Sequence, residues 1–409
     1  MRAGSRLAAA PRVAALSELP ATADVVVIGA GLVGAATAAA LAVSGRRVCV
    51  VDRAGPLSGT TAAGEGNILV SDKLPGPELD LALRSAALWQ AFAAEHGPAL
   101  EYEAKGGVVV AHDVPQLAAL RELAERQRAA GVAVEVLNAG TLRGAEPRLS
   151  RHLAGGAFYP QDAQVQPMRA ALAYLALARR CGAQVVGGAE VIALETTPAR
   201  VSAVVTSRGR VATPVVVNAA GPWSGVVAQR LGSALPVRPR RGHILVTEPV
   251  PAVIRHKVYE ADYVGTVVSD AAGRQCSAVV EGTAAGTVLI GSSRDVAGFS
   301  AQPDPAALAE MARRAISLFP FLAAVRAIRA YTGFRPASPD HLPVIGADPA
   351  VPGLFHATGH EGAGIGLAPA TAELITALIN GGRPPPADAA PFAPARFGPG
   401  VSAAFGVAR

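Results

Sequence analysis

The stretch from Val25 to Gly34, reading V-V-V-I-G-A-G-L-V-G, constrains the fold more than any other part of the chain. Val25 to Ile28 is a fully apolar, β-branched run that suits a buried strand, and Leu32 to Val43 continues as an Ala-rich helix. Val48 to Val51 is a second apolar strand ending at Asp52, which completes one βαβ unit. Gly29 permits the tight turn, Gly31 lets a pyrophosphate approach the backbone, and Gly34 lets helix and strand pack closely. The helix start, with Leu32 and Val33 in its first turn, offers N–H donors and a positive dipole to phosphates. Asp52, followed by Arg53, stands about 20 residues on, where a carboxylate can bind ribose hydroxyls. This pattern specifies an ADP-containing dinucleotide without saying which one. The same stretch, Val25 to Val43, is about as long as a transmembrane helix, but its three glycines and β-branched start fit strand, turn and helix better.

The rest of the chain excludes several functions. A net charge of +6 is spread over short groups such as Arg238, Arg240 and Arg241, or Arg313 and Arg314, so no nucleic-acid surface is expected. Cys49, Cys181 and Cys276 lie far apart and form no zinc or disulfide pattern, which points to a reducing, cytoplasmic setting and no metal. The first twenty residues lack the long apolar core of a signal peptide.

At 409 residues the chain has room for two or three domain-sized units. Helices are predicted from Pro77 towards Glu95, over Pro115 to Ala130, Pro167 to Cys181, Pro305 to Leu318 and Ala368 to Ile379. Val201 to Thr206 and Val211 to Thr213 read as a hairpin around Gly209, and Val215 to Val217 as a buried strand. From Pro236 to about Arg329 the pattern changes to separated strands, notably His243 to Thr247, Ser277 to Val280 and Val288 to Ile290, as in an antiparallel sheet with helices packed on it. The expected fold class is therefore α/β (α+β), a Rossmann-like cofactor domain with a second, antiparallel-sheet substrate domain. Residues 23–84, 150–232 and 333–382 are assigned to the first, 85–149 and 233–332 to the second. Residues 1–22 form an N-terminal extension and 383–409 a Pro-, Ala- and Gly-rich tail.

Four further strings carry a resemblance: G-T-T-A-A-G-E-G-N-I-L-V-S-D-K, V-V-N-A-A-G-P-W-S, Y-T-G-F-R-P-A-S-P-D-H-L-P-V-I-G and H-A-T-G-H-E-G-A-G-I-G-L-A-P. Together with the glycine turn they resemble the D-amino-acid oxidase-like family of FAD-dependent oxidoreductases over nearly the whole chain. Within it the sequence looks most like the β subunits of D-hydroxyproline dehydrogenase, opine oxidase and hydrogen cyanide synthase. The resemblance implies that Thr60, Thr61, Gly66 and Asn67 line the flavin, that Val191 contacts the adenine, and that Ala219 and Gly221 lie near the ribitol and pyrophosphate. Trp223 and Gly333 are added to the cofactor set, although a Trp such as Trp223 is more often a packed aromatic than a ligand. The Gly-rich turn of Gly359, Gly362, Gly364, Ile365 and Gly366 enters a helix, so its free N–H groups can face the flavin pyrimidine, where reduction builds negative charge.

Arg335 and His360 are the candidate catalytic residues. In amino-acid-oxidising relatives the Arg matching Arg335 forks onto the substrate carboxylate, a geometry for which guanidinium is suited; the alternative is an ion pair with Asp340. His360, with Glu361, borders the flavin or the mouth of the active site. His356 and His360 straddle a strand end and a turn, which argues against a shared metal, and His243 reads as a hydrogen-bonded structural residue. Ala330, Tyr331 and Thr332 stand where some relatives carry a flavin-linking Cys, so FAD is expected to be non-covalent. Val288 to Ile290, placed on the strand facing the flavin, lacks the Lys of some oxygen-reactive relatives.

The expected activity is a dehydrogenase that oxidises the C–N bond of an amino acid or secondary amine, hydroxyproline-, opine- or sarcosine-like. Electrons would pass to a partner in a hetero-oligomer with flavin and iron-sulfur subunits. A non-catalytic electron-relay subunit, an oxygen-using oxidase and an NAD-dependent enzyme are the rivals. Tyr259 and Tyr263 are possible pocket residues.

Overall fold

The structure, a computed structural model, describes residues 18–263, 273–381 and 387–398. The expected N-terminal extension up to residue 17, and residues 383–386 and 399–409 of the expected tail, lie outside them.

The apolar strand Val25–Ile28 is completely buried and sits in the middle of a six-stranded sheet. Its neighbours, Val48–Asp52 and Val216–Asn218, are both parallel to it. Gln184–Gly187 extends the sheet on one side, and Leu354–Thr358 with the antiparallel edge strand Val344–Ala347 on the other. A strand buried on both faces reads as continuous Val and Ile, as here. The helix Leu32–Val43 is buried almost all round, because its alanines let the helices Pro167–Arg180 and Gly364–Asn380 approach it on either side. The chain crosses from one side of Val25–Ile28 to the other between its two neighbours, and such a switch point opens a crevice at the carboxyl ends of the strands.

The second sheet has eight strands, in the order Ala327–Ala337, Arg238–Thr247, Val288–Arg294, Gln275–Gly282, Lys257–Glu260, Gly107–Ala111, Gly155–Tyr159, Glu135–Asn138. All pairings are antiparallel except Lys257–Glu260 with Gly107–Ala111. The helix Pro305–Leu318, capped by the Asp304 carboxylate, covers one face through Met311, Ala315 and Leu318. This sheet reaches beyond the expected segment boundaries in two places. Gly155–Tyr159 lies in it rather than with the cofactor strands, and its edge strand runs on to Ala337 rather than ending before Gly333. That second extension carries Gly333 and Arg335 from the large sheet into the crevice of the small one. A separate three-stranded sheet joins Val191–Thr196, Val201–Thr206 and Gly209–Ala212, the last two as a hairpin pairing Thr206 with Gly209.

Among the described residues no helix is long and apolar enough to cross a membrane.

Candidate active site

A cavity of about 470 Å³ runs from the carboxyl end of Val25–Ile28 to the large sheet. At one end it is bounded by Asp52, Arg53, Val191 and Arg230, in the middle by Gly29, Gly31, Leu32 and Val33, and at the other by Gly64, Glu65, Gly333 and Arg335. Gly29 has φ +105° and a Cβ there would lie 2.5 Å from Ala219 O, so both conformation and space demand glycine.

The first end is braced by hydrogen bonds to one carboxylate. Asp52 Oδ2 accepts from Ala30 N at 2.9 Å, and Oδ1 accepts from Ala54 N at 3.0 Å and Gly55 N at 2.9 Å. Asp52 thus holds the glycine turn as well as facing the cavity. Trp223 lines the wall, stacked on Phe299 with ring centroids 5.3 Å apart and with the Arg53 guanidinium 4.2 Å above it. It is a packed aromatic on the cavity wall.

The loop after Gly59 is tied to both sheets. Thr61 Oγ1 accepts from Leu32 N at 2.9 Å, which occupies one first-turn donor of the helix, while Thr60 Oγ1 donates to Phe334 O at 2.6 Å. Asn67 lines the cavity with its buried Oδ1 unpartnered. Thr60, Thr61, Asn67, Val191, Ala219, Gly221, Gly333, Gly362, Gly364 and Ile365 all lie on the cavity wall.

Four expected cofactor residues do not line it, and each has a packing reason. A Cβ on Gly34 would fall 2.0 Å from Gly29 O, and one on Gly66 1.8 Å from Val165 O. At Gly359, with φ +74°, it would meet Val344, and at Gly366 the backbone of Asn67 and Ile68. These glycines let elements touch behind the wall.

The turn before the helix Gly364–Asn380 is held from below. Trp89 Nε1 donates to Ile365 O at 3.1 Å and Gly366 O at 3.0 Å, and Ser85 Oγ donates to Gly366 O. Pro369, inside this helix, has no N–H for Ile365 O, so Trp89 supplies the missing donor. Glu361, at φ +45°, points to Arg240 at 3.3 Å and His341 at 3.0 Å. His360 is fully buried behind the wall it lines, its Nε2 2.9 Å from Thr371 Oγ1, and burial holds its ring down to about 3. Thr371 fixes the ring at the cavity wall.

Arg335 lines the cavity where the sheets meet. Its one hydrogen bond among the described residues is from Nη1 to Ser293 O at 2.8 Å. Burial pushes the guanidinium down to about 10, still a cation at neutral pH. The alternative partner Asp340 is taken by Arg396 at 2.7 Å. Below this end lies a charged group that the sequence did not signal. Lys257 is completely buried, with Nζ 2.6 Å from Glu281 and 3.7 Å from Glu65. The strand Val288–Arg294 indeed carries no Lys, but Lys257 brings an ammonium in from another strand, neutralised by carboxylates.

His356 is bonded to Asp348 at 2.8 Å and sits apart from His360, and no metal-binding group of His, Cys, Asp or Glu occurs among the described residues. His243 contacts Thr332 Oγ1 at 3.0 Å. Of the two tyrosines, Tyr263 lines the cavity, whereas Tyr259 is buried against Ser71 and does not.

Residues 24–378 match the DAO family, described as FAD dependent oxidoreductase. The chain belongs to that family. It is 29% identical to hydrogen cyanide synthase subunit HcnC of Pseudomonas aeruginosa, over 92% of this chain and 97% of the relative. With glycine oxidase of the same organism the identity is 31%, over 91% of this chain and 98% of the relative. The crystal structure of glycine oxidase from Geobacillus kaustophilus superposes with a TM-score of 0.83 at 26% identity, covering 92% of this chain and all of the other.

As a DAO family member the chain takes FAD, and the cavity fits it. The glycine turn and the first turn of the helix Leu32–Val43 give the pyrophosphate its N–H donors. Asp52 and Val191 bound the ADP end, and Gly64, where a Cβ would meet nothing nearer than 3.7 Å, leaves a slot for a planar ring. Bound there, FAD would supply a two-electron acceptor. No cysteine lies on the cavity wall.

Proposed function

We propose that this protein oxidises the C–N bond of an amino acid or secondary amine, and that its electrons leave through a partner subunit or other acceptor. The observation that carries the reading is Arg335: a half-buried guanidinium at the ring end of the cavity with one donor spent on Ser293 O. A guanidinium has five N–H donors in a fixed fork, which suits a carboxylate held by two parallel hydrogen bonds. Such a clamp fixes the carbon next to the carboxylate against the acceptor and turns an encounter into an oriented step. His360 and Tyr263 close the space and exclude water. The names of the relatives, glycine oxidase and a hydrogen cyanide synthase subunit, agree with a small amino-acid-like substrate; a hydroxyproline-, opine- or sarcosine-like compound is the class proposed.

Transfer to a partner, with flavin and iron-sulfur subunits in a hetero-oligomer, is supported by two features. Lys257 is bound to Glu281 instead of offering a free positive charge that would favour superoxide. Cys49, Cys181 and Cys276 are too few for a cluster, so any iron-sulfur centre belongs to another chain. The test is anaerobic mixing of the yellow protein with cyclic and N-substituted amino acids. Bleaching of the flavin absorbance by at least one is expected, and no bleaching by any would overturn the proposal.

A further inference from the structure

We propose that Gly242 is a positioning residue for Arg335: its missing side chain lets the guanidinium lie across the neighbouring strand onto Ser293 O, which leaves the Nε–Nη2 edge to take the substrate carboxylate. This rests on the amino-acid reading above and names what aims its clamp.

In the ladder between the strands Ala327–Ala337 and Arg238–Thr247, Arg335 stands opposite Arg240, and Gly333 opposite Gly242. Side chains two apart on a strand share a face, so Arg335 and Gly242 are diagonal neighbours on one side of the sheet. Both line the cavity. A Cβ on Gly242 would lie 2.2 Å from Arg335 Nη1, 2.9 Å from its Cζ and 2.7 Å from Ser293 O. The φ of Gly242 is outside the left-handed region, so the backbone there suits any residue and glycine is needed for space alone. The space is filled by the guanidinium.

The carbonyl that receives Nη1 is set free by an irregularity in the next strand. Leu245 pairs with Ile290, and pairing resumes at Arg241 with Asp295. From Leu245 to Arg241 is four steps and from Ile290 to Asp295 five, so the second side carries one extra residue, a bulge. Within it the Ser293 hydroxyl accepts from His243 N at 3.0 Å, and Ser293 O accepts from Arg335 Nη1 at 2.8 Å. Arg335 thus reaches over one strand to a second, and Gly242 is the point it crosses.

What this seat leaves open decides how a ligand is held. A guanidinium offers two forks of parallel N–H bonds, one from Nε and Nη2 and one from Nη1 and Nη2. The second shares Nη1 with Ser293 O; the first has no hydrogen bond to the described residues. Nε lies 3.9 Å from where a Cβ on Gly362 would stand, and Gly362 is on the cavity wall. A carboxylate arriving through the cavity therefore meets the Nε–Nη2 fork. Fixing a long side chain before the ligand arrives takes its rotamer entropy out of the binding step. A carboxylate held in one orientation in turn fixes the carbon beside it.

The test titrates cyclopentanecarboxylate, which has no amine to oxidise, calorimetrically into the FAD-loaded protein. Gly242→Ala should weaken binding by about tenfold or more. In an Arg335→Lys background the same substitution should weaken it less than about twofold, because lysine has no Nη1 for the new Cβ to displace. An equal loss in both backgrounds is general damage to the sheet and overturns the role of Gly242, as does an affinity unchanged by Gly242→Ala. A crystal structure of the FAD-loaded wild type with cyclopentanecarboxylate needs no variant to fold. The carboxylate should lie on Nε and Nη2 with Nη1 still on Ser293 O, and a guanidinium swung off Ser293 O, or a carboxylate on Nη1 and Nη2, overturns the proposal. A wild type that binds the carboxylate no tighter than Arg335→Ala overturns the Arg335 clamp and the amino-acid reading with it.

Discussion

Arg335 and Lys257 are two cations at the ring end of the cavity, and they behave in opposite ways. Arg335 keeps most of its donors for a ligand, so Arg335→Ala should lower kcat/KM for an amino acid by about a hundredfold, the worth of a charge-assisted pair. Arg335→Lys should recover only part, because a point charge cannot fork; stopped-flow reduction at varied substrate concentration measures both. Lys257 is fully committed to Glu281 and Glu65. Lys257→Met leaves two uncompensated carboxylates in the interior and should destabilise the fold by roughly 3–5 kcal/mol in urea titration. Asp162 supplies a pH dependence of stability. Burial raises its carboxyl from 3.8 to about 7, against hydrogen bonds from Ser71 and Val70. The folded state therefore holds a proton that the unfolded chain releases. Its contribution is complete below the unfolded value and is lost as the pH rises through about 7. Asp162→Asn should flatten that part of the melting-temperature profile.

At the scale of elements, what the sequence disclosed and what it hid divide along a physical line. The turn of Gly29, Gly31 and Gly34 is legible because its steric demands are local: three missing Cβ atoms between an apolar strand and an Ala-rich helix. Gly34→Ala, with a Cβ 2.0 Å from Gly29 O, should loosen helix from strand and cost both stability and FAD affinity. Gly64→Ala meets nothing nearer than 3.7 Å and should leave the melting temperature of the FAD-free protein unchanged while weakening FAD binding. Trp89 was not legible as a site residue, since its role depends on a helix far along the chain. The available signal was Pro369, whose missing N–H orphans the carbonyl four residues earlier. Trp89→Phe should cost about 1–3 kcal/mol through Ile365 O and Gly366 O, seen in thermal melts.

Over the whole molecule, the small parallel sheet presents the cofactor groove and the large sheet closes it. The small sheet could be read from continuous apolar strands. The large one could be read as strands, but its register could not, because pairings such as Lys257–Glu260 with Gly107–Ala111 join distant segments. This is why Arg335, carried by a short motif, was found while Glu65 and Lys257 were not: their meaning arises only when loop and sheet meet. The same closure explains why His360, prominent in its motif, lies on the wall as a neutral ring. The central claim is that an amino-acid-like amine delivers electrons to FAD at Arg335. Anaerobic titration of the yellow protein with a panel of cyclic and N-substituted amino acids tests it most directly, with Arg335→Ala alongside. Loss of the oxidised flavin absorbance in the wild type and its retention in the variant are predicted. A wild type that keeps its colour with every compound, or a variant that bleaches equally fast, would contradict it.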